Sequence, residues 1–219
     1  MQTHTSVKKM VLLAMLAAVS YLSVALFPAI TVVVMPPLSY EPKDAIITIA
    51  GFLLEPLSAV IISFVVSLLE MVTVSKTGWI GAIMNFASTC SFAYIAALIY
   101  KKKHNLKGAI LGLLAGCLTM ISVMILWNWI LTPMYSGWPR SAVEQMLIPV
   151  FLPFNALKAG LNTALVLAIY KPLTRALRQA RLLPESSATH KKAKPGVYIL
   201  AGLLLATCVL LLLVMKGVL

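Results

Sequence analysis

The chain has 219 residues, of which 61% are hydrophobic and only 11% charged, and a mean hydropathy of +0.96 lies far outside what a soluble domain of this size carries. The net charge of +12 does not point to nucleic acid. The basic residues are clustered between apolar runs rather than spread with aromatics along one face.

The first apolar run spans about Lys9–Pro28. Lys8 and Lys9 ahead of it resemble the charged region of a signal peptide, but the run is long and has no clear small-residue cleavage site, so it reads as a membrane helix. The connection that follows, 29–43, carries Met35-Pro36-Pro37-Leu38-Ser39-Tyr40-Glu41-Pro42, whose prolines predict an extended path. The second run, Asp44–Leu54, is bracketed by Pro42 and Glu55-Pro56. At about 1.5 Å per residue it crosses only about half of a 30 Å hydrocarbon core, which predicts a short helix paired with the third run, Leu57–Val74.

The fourth run is Gly78–Tyr100 and the fifth Leu106–Leu131. A second long connection is predicted over Thr132–Met146, with Pro133, Tyr135, Gly137, Trp138 and Pro139, before the sixth run at Leu147–Pro172. Trp127, Trp129 and Tyr135 read as interfacial belt residues, though two Pro- and aromatic-rich loops on one side could cover a pocket. A basic linker, 176–195, precedes a last leucine-rich run, Gly196–Val218. This run holds no interior polar group beyond Thr207 and reads as an anchor or packing element.

Counting loops with the N-terminus inside places Lys8, Lys9, the cluster from Lys101 to Lys107 and the stretch from Lys171 to Lys194 on the cytoplasmic side. Lys43, Lys76, Arg140 and Lys216 fall outside, which fits the positive-inside rule.

Lys158 is the sharpest polar signal, because a charge deep in a membrane helix costs about 2.5–3.5 kcal/mol even on lenient scales. Asn155, Lys158 and Asn162 recur at i, i+3 and i+7, on one helix face. Asn85, Asn128 and Glu70 lie at a similar height on other helices. An asparagine offers donors and an acceptor to a heterocycle or to hydroxyls; the competing role is interhelical hydrogen bonding. Glu70 and Lys158 could also form a buried ion pair. No catalytic constellation stands out, and Cys90, Cys117, Cys208 and the three histidines offer no disulfide framework or metal spacing. Ala14 and Ala18 in the first helix, and Gly108, Gly112 and Gly116 in the fifth, form small-residue rows suited to close helix approach; internal packing is the expectation for the glycines.

Several stretches carry a family resemblance over residues 8 to 175. They are Leu38-Ser39-Tyr40-Glu41-Pro42-Lys43-Asp44, Ser67-Leu68-Leu69-Glu70-Met71, Gly81-Ala82-Ile83-Met84-Asn85, Trp127-Asn128, and Phe151-Leu152-Pro153-Phe154-Asn155 through Lys158-Ala159-Gly160-Leu161-Asn162. The sequence resembles the substrate-capture (S) components of energy-coupling factor (ECF) vitamin transporters, and among them the riboflavin-specific ones. The resemblance implies an all-α integral membrane protein, a six-helix bundle over 1–175; the run at 196–219 lies outside that six-helix pattern and reads from its apolar length as an extra C-terminal transmembrane helix. It implies riboflavin or a flavin analogue as transported ligand, held by Asn155 and Lys158, by the backbone at Leu38, and by a pocket lined by Asn128, with Asn85 and Asn162 added on the residue reading. No cofactor, resident metal or enzymatic activity is expected.

The resemblance further implies partners, a transmembrane scaffold subunit and two ATPases, with Ala14 and Ala18 as the docking face. The protein would sit in the cell membrane with its N-terminus cytoplasmic. The turn Glu55-Pro56 departs from the Gly-Pro common in relatives. The alternatives are an intramembrane enzyme, a structural membrane scaffold, or an S component for another vitamin.

Overall fold

The computed structural model describes residues 2–25, 32–35, 38–75, 77–183 and 195–215; for residues 2–6, 32–35, 38–39 and 215 it describes the backbone alone. Helix α1 (Gln2–Ala25) is followed by an antiparallel hairpin of β1 (Val32–Met35) and β2 (Leu38–Tyr40), in which Val33 pairs with Ser39 and Met35 with Leu38. Pro36 and Pro37 lie outside the described residues, and Pro42, predicted to be extended, instead precedes α2 in helical geometry with φ of −74° and ψ of −7°. Helix α2 (Lys43–Leu53) is the short element, and Pro56 opens α3 (Pro56–Thr73) at a first-turn position where a missing N–H costs nothing.

Almost every residue of α2 is buried, because α1, α3, α4 (Gly78–Lys103) and the later α7 surround it. Gly51 makes that enclosure possible, since a Cβ there would stand 2.9 Å from the Ala97 Cβ and 3.1 Å from that of Ala59. A half-length helix at the centre of a bundle delivers its N-terminus, Lys43-Asp44, to the protein interior rather than to the surface.

Helix α5 (Leu106–Ser136) is capped by Asn105, whose side chain accepts from the Gly108 N–H at 2.8 Å. It packs closely on α4. A Cβ at Gly112 would meet the Ala96 carbonyl oxygen at 2.5 Å and one at Gly116 that of Phe92 at 2.6 Å, so two glycines of the row serve internal packing, as expected.

The long connection predicted over Thr132–Met146 is instead mostly helical. Helix α5 continues through Pro133 to Ser136, Gly137 ends it with φ of 72°, and α6 (Arg140–Met146) follows at once. The helix passes through Pro133 although that residue has no N–H for the Trp129 carbonyl, and side chains brace the same turn: the Thr132 hydroxyl donates to Asn128 Oδ1 at 3.2 Å and the Ser136 hydroxyl to the Thr132 carbonyl at 2.7 Å. Trp129 donates from Nε1 to Glu144 at 2.9 Å and lies under the Arg140 guanidinium, 4.8 Å from the ring centroid, so it ties α5 to α6 as well as lying at the helix end.

Helix α6 runs through a π-helical turn (Leu147–Phe151) into α7 (Leu152–Gln179), giving one continuous span of 40 residues. Of the predicted linker, 176–179 belongs to α7, and 184–194 lies outside the described residues. Helix α8 (Pro195–Met215) packs along α7, where Gly160 leaves room for the Cys208 sulfur. Among the described residues, six helical spans are long and apolar enough to cross a membrane.

The two ends of the bundle differ. At one end Lys9 and Glu55 pair at 3.1 Å, and this hydrogen bond holds the exposed Glu55 carboxyl below the usual carboxylate range. The Lys101–Lys103 cluster closes α4 at the same end. The hairpin, the C-termini of α3 and α5 and the N-termini of α4 and α6 gather at the other.

Candidate functional site

The polar side chains form two joined networks toward the hairpin end, and both begin on α2. Asp44 is fully buried. Its Oδ1 accepts from the Thr89 hydroxyl of α4 at 2.6 Å, while its Oδ2 accepts from Asn162 Nδ2 of α7 at 3.2 Å and lies 3.3 Å from the Lys158 ammonium. The i+4 spacing of Lys158 and Asn162 brings both to the same carboxylate. This pairing offsets the cost of the buried ammonium, which is 5% exposed.

The second network surrounds Lys43, which is 1% exposed although its place in the sequence puts it among the outer-loop cations. Its Nζ lies 2.6 Å from a Glu41 oxygen and also donates to Glu70 Oε2 of α3, which accepts from Asn85 Nδ2 of α4 at 3.1 Å. The sequence left open an ion pair between Glu70 and Lys158; each instead has a partner from α2. Three carboxylates thus share two ammonium groups. The missed residues, Lys43 and Asp44, lay at a run boundary beside Pro42, where a charge ordinarily marks an exposed helix start. Their adjacency to the enclosed half-helix was the one signal available.

The remaining asparagines are oriented by main-chain carbonyls. Asn155 Nδ2 donates to the Phe151 carbonyl at 2.7 Å and Asn128 Nδ2 to that of Met124 at 2.7 Å. The π-turn prepares the first of these sites: Pro153 has no N–H to give, and the Leu152 N–H bonds five residues back to Leu147. Because a carbonyl or carboxylate can only accept, each amide must turn its nitrogen toward it. The amide oxygens of Asn155 and Asn162 are left buried without a partner in the protein. Asn128 differs, its oxygen being taken by Thr132.

Asn155, Lys158 and Asn162 are therefore brought together on α7, and Asn85 joins the adjacent network through Glu70. Asn128 is buried on the facing α5, bonded within its own helix. Leu38 opens β2 two residues before the buried Tyr40, whose hydroxyl also has no partner in the protein. Ala14 and Ala18 lie on the exposed side of α1, with Ala17 turned inward. Among the described residues no group of three His, Cys, Asp or Glu is placed to hold a metal ion.

Chemically, the site offers two fixed acceptors and a lysine with donors left over. It suits an uncharged molecule that presents N–H or O–H donors beside a carbonyl oxygen. A further negative charge would meet the excess carboxylate.

Comparison with known proteins bears on what that molecule is. The sequence model of the family described as "ECF transporter, substrate-specific component" matches residues 8–170. The chain is 26% identical to the riboflavin transporter RibU of Staphylococcus aureus (strain TCH60) over 78% of this chain and 93% of that protein. It is 25% identical to the riboflavin transporter FmnP of Bacillus subtilis (strain 168) over 80% of this chain and 96% of that protein. A solved structure reported as "Structure and mechanism of the S component of a bacterial ECF transporter" superposes with a TM-score of 0.64, at 25% identity, covering 81% of this chain and 99% of that one.

Proposed function

The chain belongs to the family of substrate-specific components of ECF transporters, and from that premise we propose that it captures riboflavin from outside the cell and delivers it inward with a separate ATPase-driven module. The observation that carries the ligand is the set of groups left available: the free amide oxygens of Asn155 and Asn162 beside the Lys158 ammonium. The isoalloxazine ring has an imide N–H flanked by two carbonyl oxygens, and the ribityl chain adds hydroxyl donors. A carbonyl oxygen would face Lys158, and the imide and hydroxyl hydrogens would face the asparagines. The molecule is uncharged, in keeping with the carboxylate excess.

The backbone of Leu38 and the side chains of Asn85 and Asn128 complete the proposed binding set. The outward side is the hairpin end, consistent with the N-terminus and the lysine clusters lying in the cytoplasm. The exposed Ala14 and Ala18 face of α1 is proposed to dock a transmembrane scaffold subunit that couples to two ATPases. Ala14 and Ala18 are small, exposed and four residues apart on that helix, which supports that choice. Helix α8, seated on α7, leaves this face open.

The test is the visible spectrum of the purified protein followed by addition of riboflavin. Flavin absorbance on purification, or quenching of added riboflavin fluorescence, is the expected result. Colourless protein that leaves riboflavin fluorescence unchanged would overturn the reading.

A further inference from the structure

We infer that Asp44 is a positioning residue for ligand recognition, an inference that rests on the riboflavin reading of the site. Asp44 reaches the site from α2 and fastens three side chains at once: Thr89 on α4, and Lys158 and Asn162 on α7. All four side chains are buried. Both of its oxygens are engaged, so it has no lone contact to offer a ligand comparable to those of the residues it holds.

Its effect on Asn162 follows from the inventory of donors and acceptors. An ionised carboxylate only accepts, so Asn162 must turn its NH2 group to Asp44 and present its oxygen as an acceptor. Lys158 is fixed in the same way: one of its three N–H donors points at Asp44, and the others are aimed by that anchor. With an amide at position 44, either orientation of Asn162 finds a complementary partner, and the Lys158 ammonium loses its buried counter-charge. The recognition pattern of the site would then no longer be single-valued.

Lys43, one residue earlier, is engaged elsewhere by Glu41 and Glu70. Asp44 is therefore the carboxylate within reach of Lys158, and the sequence around it, Pro42-Lys43-Asp44, assigns one acid–base partner to each of two networks. The N-terminus of the half-length helix is a strut between the hairpin, α4 and the ligand-facing side of α7.

The experiment is a double-mutant cycle on the full-length protein in detergent, with riboflavin as probe and fluorescence quenching as readout. Lys158→Met is expected to weaken binding by about 10- to 150-fold, the equivalent of one charge-assisted hydrogen bond. Asp44→Asn is expected to weaken it at least tenfold. The double variant is expected to bind more tightly than the product of the two single fold-changes, because the part of the Asp44 effect that runs through Lys158 is already gone while the part that runs through Asn162 remains. Its melting temperature should recover toward wild type as the unpaired charge disappears, while affinity does not.

Thr89→Val keeps every charge, provides the readout if Asp44→Asn does not fold, and should weaken binding by about three- to tenfold in an otherwise wild-type chain and by less on the Lys158→Met background. Fold-changes that multiply across either pair would assign Asp44 a purely structural role and overturn the inference while leaving the riboflavin reading standing. A wild-type protein that fails to bind riboflavin overturns both.

Discussion

Replacing Asn155 by leucine should move stability and affinity in opposite directions. The Asn155 side chain is 1% exposed, and its Nδ2 bonds the Phe151 carbonyl, while its oxygen has no partner in the protein. A buried acceptor left without a hydrogen bond costs about 1–3 kcal/mol. The Phe151 carbonyl lies in a helical stretch and keeps a main-chain donor available after the change. Leucine has the same branched heavy-atom skeleton and removes the unpaired oxygen, so the ligand-free protein should melt no lower than wild type and up to a few degrees higher. In the complex, the lost bond to a ligand donor should cost a similar 1–3 kcal/mol, or about 5- to 150-fold in Kd. Thermal unfolding without ligand and riboflavin quenching titrations on the same preparation measure both quantities. A variant that is destabilised yet binds riboflavin normally would refute the assignment of that oxygen to the ligand.

Lys43→Met should destabilise the protein by about 3–5 kcal/mol, since Glu70 and Glu41 lose their buried counter-charge; pairing it with Glu70→Gln should recover part of the loss in thermal melts. Gly112→Val places a side chain where the Ala96 carbonyl lies 2.5 Å from a Cβ, and should lower stability by about 1–3 kcal/mol or more by forcing α4 and α5 apart. Ala14→Trp with Ala18→Trp should leave riboflavin affinity of the isolated protein within twofold of wild type and abolish uptake in cells carrying the partner subunits. Normal uptake would remove that face from docking.

The bundle was legible in the sequence because each apolar run obeys the length of the bilayer, and the half-length second run announced itself through the prolines on either side. The α7 side of the site was legible too, since Asn155, Lys158 and Asn162 share a face and a lone lysine in a membrane helix demands a partner. The identity of that partner was not. Asp44 sits 114 positions away by residue number, at the mouth of a helix whose enclosure depends on Gly51 fitting against α3 and α4. No periodicity encodes such a contact. Lys43 was hidden for a related reason: position in a loop-flanking stretch predicts exposure, whereas Glu41 and, from α3, Glu70 pair with its ammonium in the interior. Pro133 and Pro172 suggested helix ends, yet α5 and α7 pass through both with hydroxyl groups bonding nearby carbonyls.

Titration of the purified wild-type protein with riboflavin by calorimetry tests the central claim most directly. Saturable binding of one riboflavin per chain, at a Kd well below micromolar that rises by about 10- to 150-fold in Lys158→Met, is the predicted result. No heat and no saturation at riboflavin concentrations of tens of micromolar, with protein shown to be folded, would contradict it.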